Sequence, residues 1–145
     1  MCDSTRVIPF RVTFDTGIPV YQQVTFAAKK AIMSGQLRPG DVFPSVRALS
    51  RELKINPNTA HKVVTQLTNE GLLEVRPGIG TVVAVPPSGT RGARSRLLGP
   101  EVERLTVEAK KLGLTLQEVE DAVARHWNLL SPAEDKEDAR SWPVR

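Results

Sequence analysis

Apolar residues recur at helical spacing three times along the first half of the chain and then alternate at strand spacing. Val24, Ala27, Ala28, Ala31 and Ile32 occupy i, i+3, i+4, i+7 and i+8, while Gln22, Gln23, Lys29 and Lys30 fall largely elsewhere. This predicts an amphipathic helix that opens at Pro19, whose fixed φ suits a first helical position, and closes at Gly35. Val46, Leu49 and Leu53 predict a second helix from about Val46 to Lys54, with the Ser45 hydroxyl as its N-cap. Asn56 and Pro57 are a second start signal, and Ala60, Val63, Val64 and Leu67 continue it as the inward stripe of a third helix that ends at Gly71. Residues 72–76 and 81–85 read as two strands around Pro77, Gly78, Ile79 and Gly80, where the glycines can take the positive φ of a tight hairpin. Ahead of all this, Phe10, Val12 and Phe14 alternate, as in a short strand or an arm packed on the domain, and LRPGDVFP at 37–44 reads as a turn.

Beyond residue 85 the pattern changes. PPSGTRGARS offers no side chain larger than valine apart from two arginines, which predicts a flexible basic linker over 86–98. Val102, Leu105, Ala109, Leu112, Leu116, Val119 and Val123 then step alternately by three and four, the spacing of a coiled-coil seam. Lys110, Lys111 and Gly113 interrupt it as C-terminal signals, and Thr115 with Glu118 forms a T-x-x-E capping box, so two helices with a short corner are expected over 99–131. The remaining segments, 1–9 and 132–145, read as a flexible N-terminus and a disordered tail. The expected fold class is α+β and mostly helical: an N-terminal winged helix-turn-helix over 10–85, followed by a small two-helix unit.

Length and charge narrow the possibilities only in part. At 145 residues there is room for one ordinary domain and an appendage, and 20 Lys and Arg against 16 Asp and Glu leave a net charge of +4, which favours anionic partners modestly. The single cysteine, Cys2, allows no internal disulfide and no thiolate metal site, which points to a reducing compartment. Neither a signal peptide nor an apolar run of about 18 residues is present, so a cytoplasmic location is expected.

Orienting the third helix by its apolar stripe turns Asn58, Lys62, Thr65 and Asn69 outward, with Thr59, His61 and Gln66 on the flanks. An ordinary solvated helix face mixes Glu with Lys at i, i+4, whereas this one carries amides, hydroxyls and an ammonium, groups that hydrogen-bond to base edges and phosphates. Asn58 suits a bidentate contact with adenine, Lys62 a guanine or a phosphate, and His61 a phosphate. Ser45 and Arg47 sit beside a helix N-terminus, where amides and positive potential attract a phosphate. Gly78 and Gly80 would let the hairpin tip approach the minor groove, with Arg76 adding charge.

Catalysis finds no support. His61 and His126 belong to different modules, so neither a metal cluster nor a nucleophile pair is suggested, and the GxG of the hairpin precedes a strand and lacks a Walker lysine. No catalytic residue, metal site or cofactor is therefore expected.

The runs GDVFPSVRALS from Gly40, INPNTA from Ile55 and NEGLLEVRPGIGTVV from Asn69 resemble the GntR family of bacterial transcription regulators, and IPVYQQV with the short C-terminal part resembles its YtrA-like subfamily. The resemblance implies a homodimer that binds a palindromic double-stranded DNA operator and represses, in this subfamily often at transporter operons. It implies DNA contacts at Arg47, at Asn58, Thr59 and His61, and at Gly78 or Gly80 of the wing. Many members carry arginine where this chain has Pro57 and His61, so base contacts do not transfer. The expected dimer interface is the apolar seam, with Leu105, Leu112, Leu116, Val119, Val123 and Trp127. Any small-molecule effector would bind at that interface, because about 60 residues after the wing are too few to enclose a pocket of about 300 Å³. The competing expectation is a winged-helix protein adaptor or antirepressor that does not bind DNA, whose recognition face should be apolar or acidic.

Overall fold

The computed structural model describes residues 8–131. In chain order it contains α1 (Val20–Met33), α2 (Val46–Leu53), α3 (Pro57–Asn69), β1 (Leu73–Arg76), β2 (Gly80–Val83), α4 (Arg91–Arg96), a π-helical turn over Leu97–Glu101, α5 (Val102–Lys111) and α6 (Leu116–Leu130). The chain divides into two compact units, one built from the described residues up to Pro86 together with Leu130 and Ser131, and one spanning Pro87–Leu129. Of the two terminal segments expected to be flexible, 1–7 and 132–145 lie outside the described residues.

In the first unit α3 is central, packed against α1 on one side, α2 on another and β1 beyond its C-terminal end. The stripes read from the sequence meet there: Val24, Leu49, Val63, Leu67 and Val83 are fully buried. Burying a leucine or valine side chain contributes about 1.5 to 3 kcal/mol, so this convergence is the main force holding the three helices together. A side-chain cap opens each of the two helices α2 and α3. Ser45 Oγ accepts from the Ala48 amide at 3.1 Å, and Asn56 Oδ1 accepts from the Asn58 amide at 2.7 Å. Between the helices Lys54 takes the left-handed conformation at φ 55°, and Ser50 Oγ donates to the Ile55 carbonyl at 2.7 Å, which closes the corner in three residues.

β1 and β2 pair antiparallel with Leu73 opposite Val83 and Arg76 opposite Gly80, forming the expected wing, though β2 stops at Val83. The 37–44 segment is not only a turn. Val42 bridges Val82, and Phe43 N donates to Thr81 O and Val83 N to Asp41 O, both at 2.8 Å, so a few extended residues between Gly40 and Pro44 edge the wing sheet. The proline and glycine count concealed this, since a bridge that short needs only the backbone of residues 41 to 43.

The alternating segment near residue 10 is an arm and not a strand. Phe10 is buried and stacks on Phe43 with ring centroids 5.9 Å apart, Val12 is half-buried and Phe14 is exposed. Gln36 Nε2 ties the arm down by donating to the Pro9 carbonyl at 2.6 Å, and the Gln23 amide holds the following turn through Asp15 and Ile18. Side chains from α1 and from the loop after it therefore satisfy backbone that lacks a sheet partner.

In the second unit, the expected linker over 86–98 requires correction. Thr90 Oγ1 accepts from the Ala93 amide at 3.1 Å and caps α4, which runs from Arg91 to Arg96 and continues through the π-helical turn into α5. Composition alone missed the cap, and arginine and alanine are good helix formers. Pro100 lies inside the π-helical turn, where its missing amide proton and its ring disfavour a regular i to i−4 ladder. The corner at Gly113 (φ 76°) is as expected, with Leu114 N donating to Ala109 O at 2.9 Å. So is the capping box: Glu118 N donates to Thr115 Oγ1 at 3.1 Å and Thr115 N to Glu118 Oε2 at 2.7 Å.

Candidate nucleic-acid interface

With Ala60, Val63 and Leu67 fully buried, α3 turns Asn58, His61, Lys62, Thr65 and Asn69 to the surface, and Thr59 is half-buried. Arg47 is exposed in the first turn of α2, beside the cap formed by Ser45, and has no acidic partner among the described residues. The wing tip is open. Gly78 and Gly80 have φ of 79° and 112°, and a Cβ added at either would meet nothing within 4 Å. Backbone conformation, not crowding, therefore calls for glycine here, and the free space lies where a duplex backbone could approach.

Three contacts refine the expected site. Arg76 is held by Glu74, with Nε and Nη2 at 3.1 and 2.8 Å from Oε1, so its charge is partly neutralised before any ligand arrives. The signal was available, since residues two apart on a strand share a face. Glu70, the one carboxylate at the far end of the α3 face, is drawn aside to Lys29 at 2.6 Å and Gln66 at 2.9 Å. Burial pushes its pKa up, but the hydrogen bonds from Lys29 and Gln66 and the Lys29 charge together outweigh this and leave it below its ordinary value. Lys62 leans toward α1, and its Nζ lies 3.8 Å from the centroid of the Tyr21 ring. Nothing in the spacing of α3 alone announced Tyr21, because that contact depends on how α1 packs. Ile79, exposed between the two wing glycines, is a further candidate that the sequence reading passed over.

Among the described residues no group of three or more His, Cys, Asp or Glu could hold a metal ion, and no helix is long and apolar enough to cross a membrane. What the first unit presents is a cap-anchored helix with an uncharged and cationic outer face, a free arginine beside it and a glycine-tipped hairpin. Together these define a winged helix-turn-helix DNA-binding protein.

Comparison with known proteins gives the more particular assignment. Residues 20–83, the greater part of the winged unit, match the model described as bacterial regulatory proteins, gntR family. It is 29% identical over 110 residues to an uncharacterised HTH-type regulator, YhcF, of Bacillus subtilis, an alignment covering 76% of this chain and 91% of that protein. It is also 29% identical over 104 residues to the HTH-type transcriptional repressor YtrA of the same organism, covering 71% of this chain and 80% of that protein. Among solved structures, one described as a transcriptional antiterminator from Listeria monocytogenes superposes with a TM-score of 0.71 over 81% of this chain and 88% of that one. At 19% identity that likeness speaks to the fold alone. The chain is thus a DNA-binding transcription regulator.

Proposed function

We propose that the chain is a cytoplasmic homodimeric repressor that acts by occupying a palindromic operator. The observation that carries the DNA contact is the outer face of α3, whose one carboxylate is neutralised by Lys29 while Asn58, His61, Lys62 and Thr65 stay exposed. In this reading Asn58 and Lys62 meet base edges or the adjacent phosphates, with Thr59 and His61 beside them. Ser45 and Arg47 clamp a phosphate at the α2 N-terminus, and Gly78 and Gly80 bring the wing to the minor groove. Arg76 shares its charge with Glu74 and adds less than its neighbours.

The dimer reading rests on the second unit, where Leu105, Leu112, Leu116, Val123 and Trp127 are exposed and Val119 is half-buried. A stripe of this size on a 145-residue chain is the kind of surface that marks an interface. Two-fold symmetry would then present two α3 helices to two half-sites, about 34 to 36 Å apart or a multiple of that. Occupancy over a promoter blocks transcription without further chemistry.

Selection of bound duplexes from a random pool, followed by titration at several salt concentrations, tests this. Arg47→Ala should lower the salt slope by about one if the arginine clamps a phosphate, and should weaken binding by about 1 to 3 kcal/mol if it reads a base. An Arg47→Ala chain with unchanged affinity and unchanged slope removes Arg47 from the interface. Failure to enrich any sequence, with no binding even at low salt, would sink the DNA-contact reading of this face.

A further inference from the structure

Tyr21, which belongs to α1 and not to the helix-turn-helix, lies against the lysine that faces outward on α3. Two contacts tie these helices side by side: Tyr21 with Lys62 and Lys29 with Glu70. In both the partner lies 41 positions further on (62 − 21 and 70 − 29), so the two helices run in the same direction and the row Tyr21, Thr25, Lys29 faces the row Lys62, Gln66, Glu70. Lys29 at one end of the row neutralises an acid. At the other end the Lys62 ammonium has no acidic partner among the described residues and rests on a ring, 3.8 Å from its centroid.

The ring is well placed to hold it. Tyr21 is half-buried and packs against the hydrophobic core, so its orientation is set by the fold, while Lys62 is exposed. A lysine is a compact charge on a flexible four-carbon stem, and it loses much rotamer freedom when it is pinned to a phosphate or a base edge. An ammonium already restrained over an aromatic face has less freedom to lose, and the attraction of the ring quadrupole persists while the outer side of the ammonium stays open.

We propose that Tyr21 is a positioning residue for DNA binding, holding the Lys62 ammonium at the surface of α3 in the place where it meets the duplex. The proposal rests on the reading of Lys62 as a DNA contact. It requires the Tyr21 ring and not its hydroxyl, which here accepts from Gln22 Nε2 at 3.3 Å.

The test uses the full chain and a 24-base-pair duplex selected from a random pool by the wild-type protein. Affinity is measured at several salt concentrations for Lys62→Ala, Tyr21→Leu, Tyr21→Phe and the double variant Tyr21→Leu with Lys62→Ala. Lys62→Ala should weaken binding and lower the salt slope by about one. Tyr21→Leu should weaken binding by about two- to five-fold in the presence of Lys62, the size expected of an exposed cation–π contact, and should change nothing further once Lys62 is alanine. Tyr21→Phe keeps the ring and should bind as the wild type does.

Unchanged affinity and slope in Lys62→Ala would remove the DNA contact itself, and with it this role for Tyr21. If Lys62→Ala does weaken binding, three results overturn the positioning role alone. These are an equal loss from Tyr21→Leu in both backgrounds, tighter binding by Tyr21→Leu, and a loss in Tyr21→Phe as large as in Tyr21→Leu. Should Tyr21→Leu fail to fold, the wild-type chain provides the test by NMR. The Lys62 ε-methylene protons should be shifted upfield by the ring both in the free protein and in the complex, and ordinary shifts in the complex refute the proposal.

Discussion

The two units carry similar apolar periodicity but meet it differently. In the winged unit the stripes of α1, α2 and α3 converge, and Val24, Leu49, Val63 and Leu67 lose all contact with water. In the second unit the seam from Leu105 to Trp127 is as regular in sequence, yet Leu112, Leu116 and Trp127 each remain about 70% exposed. A stripe that converges with others makes a core, and one whose large side chains stay exposed makes a surface. The same leucine spacing therefore means stability in one half of the molecule and, on our reading, association in the other.

The sharpest way to break this contrast is to make one substitution in each half. Leu67→Ala opens a cavity at a fully buried position and should destabilise the chain by about 2 to 5 kcal/mol in urea unfolding, independently of protein concentration. Leu116→Ala should cost the isolated chain little, because its side chain is exposed. It should instead raise the dissociation constant of the dimer by about ten-fold in sedimentation, with any loss of melting temperature growing as the protein is concentrated. A large, concentration-independent destabilisation by Leu116→Ala would mean that the seam is a core after all.

The smallest expected effect concerns the tie between α1 and α3. The pKa of Glu70 is lowered in the fold, so its pairing with Lys29 contributes stability above the ordinary carboxylate value of 4.5 and loses it as the pH falls below that value through the lowered pKa. The pair is partly exposed, and solvent screening keeps the contribution under about 1 kcal/mol. Lys29→Met should accordingly be slightly less stable than the wild type at pH 7, with the difference shrinking as the pH is lowered past 4. A difference that grows on acidification would contradict the assignment.

Much of the winged unit was legible because its signals are local. Ser45, Asn56 and Pro57 announce helix starts through groups that act within three residues, Gly78 and Gly80 announce a hairpin through φ, and the stripe of α3 fixes which residues point outward. The same reasoning found the capping box at Thr115 and Glu118. It failed where a short signal was outweighed by composition. The Thr90 cap was lost among glycines and arginines, and the bridge at Val42 was lost among prolines.

The site divides along the same line. Sequence by itself determined the caps, the inward stripe and hence the outward set of Asn58, His61, Lys62 and Thr65, because each follows from backbone geometry within one helix or turn. Only the tertiary structure decided which of those groups are already engaged. Glu70 is withdrawn by Lys29, and Lys62 is held over Tyr21, both across 41 positions of chain, and that distance is closed by the packing of α1 on α3 rather than by any spacing within either helix.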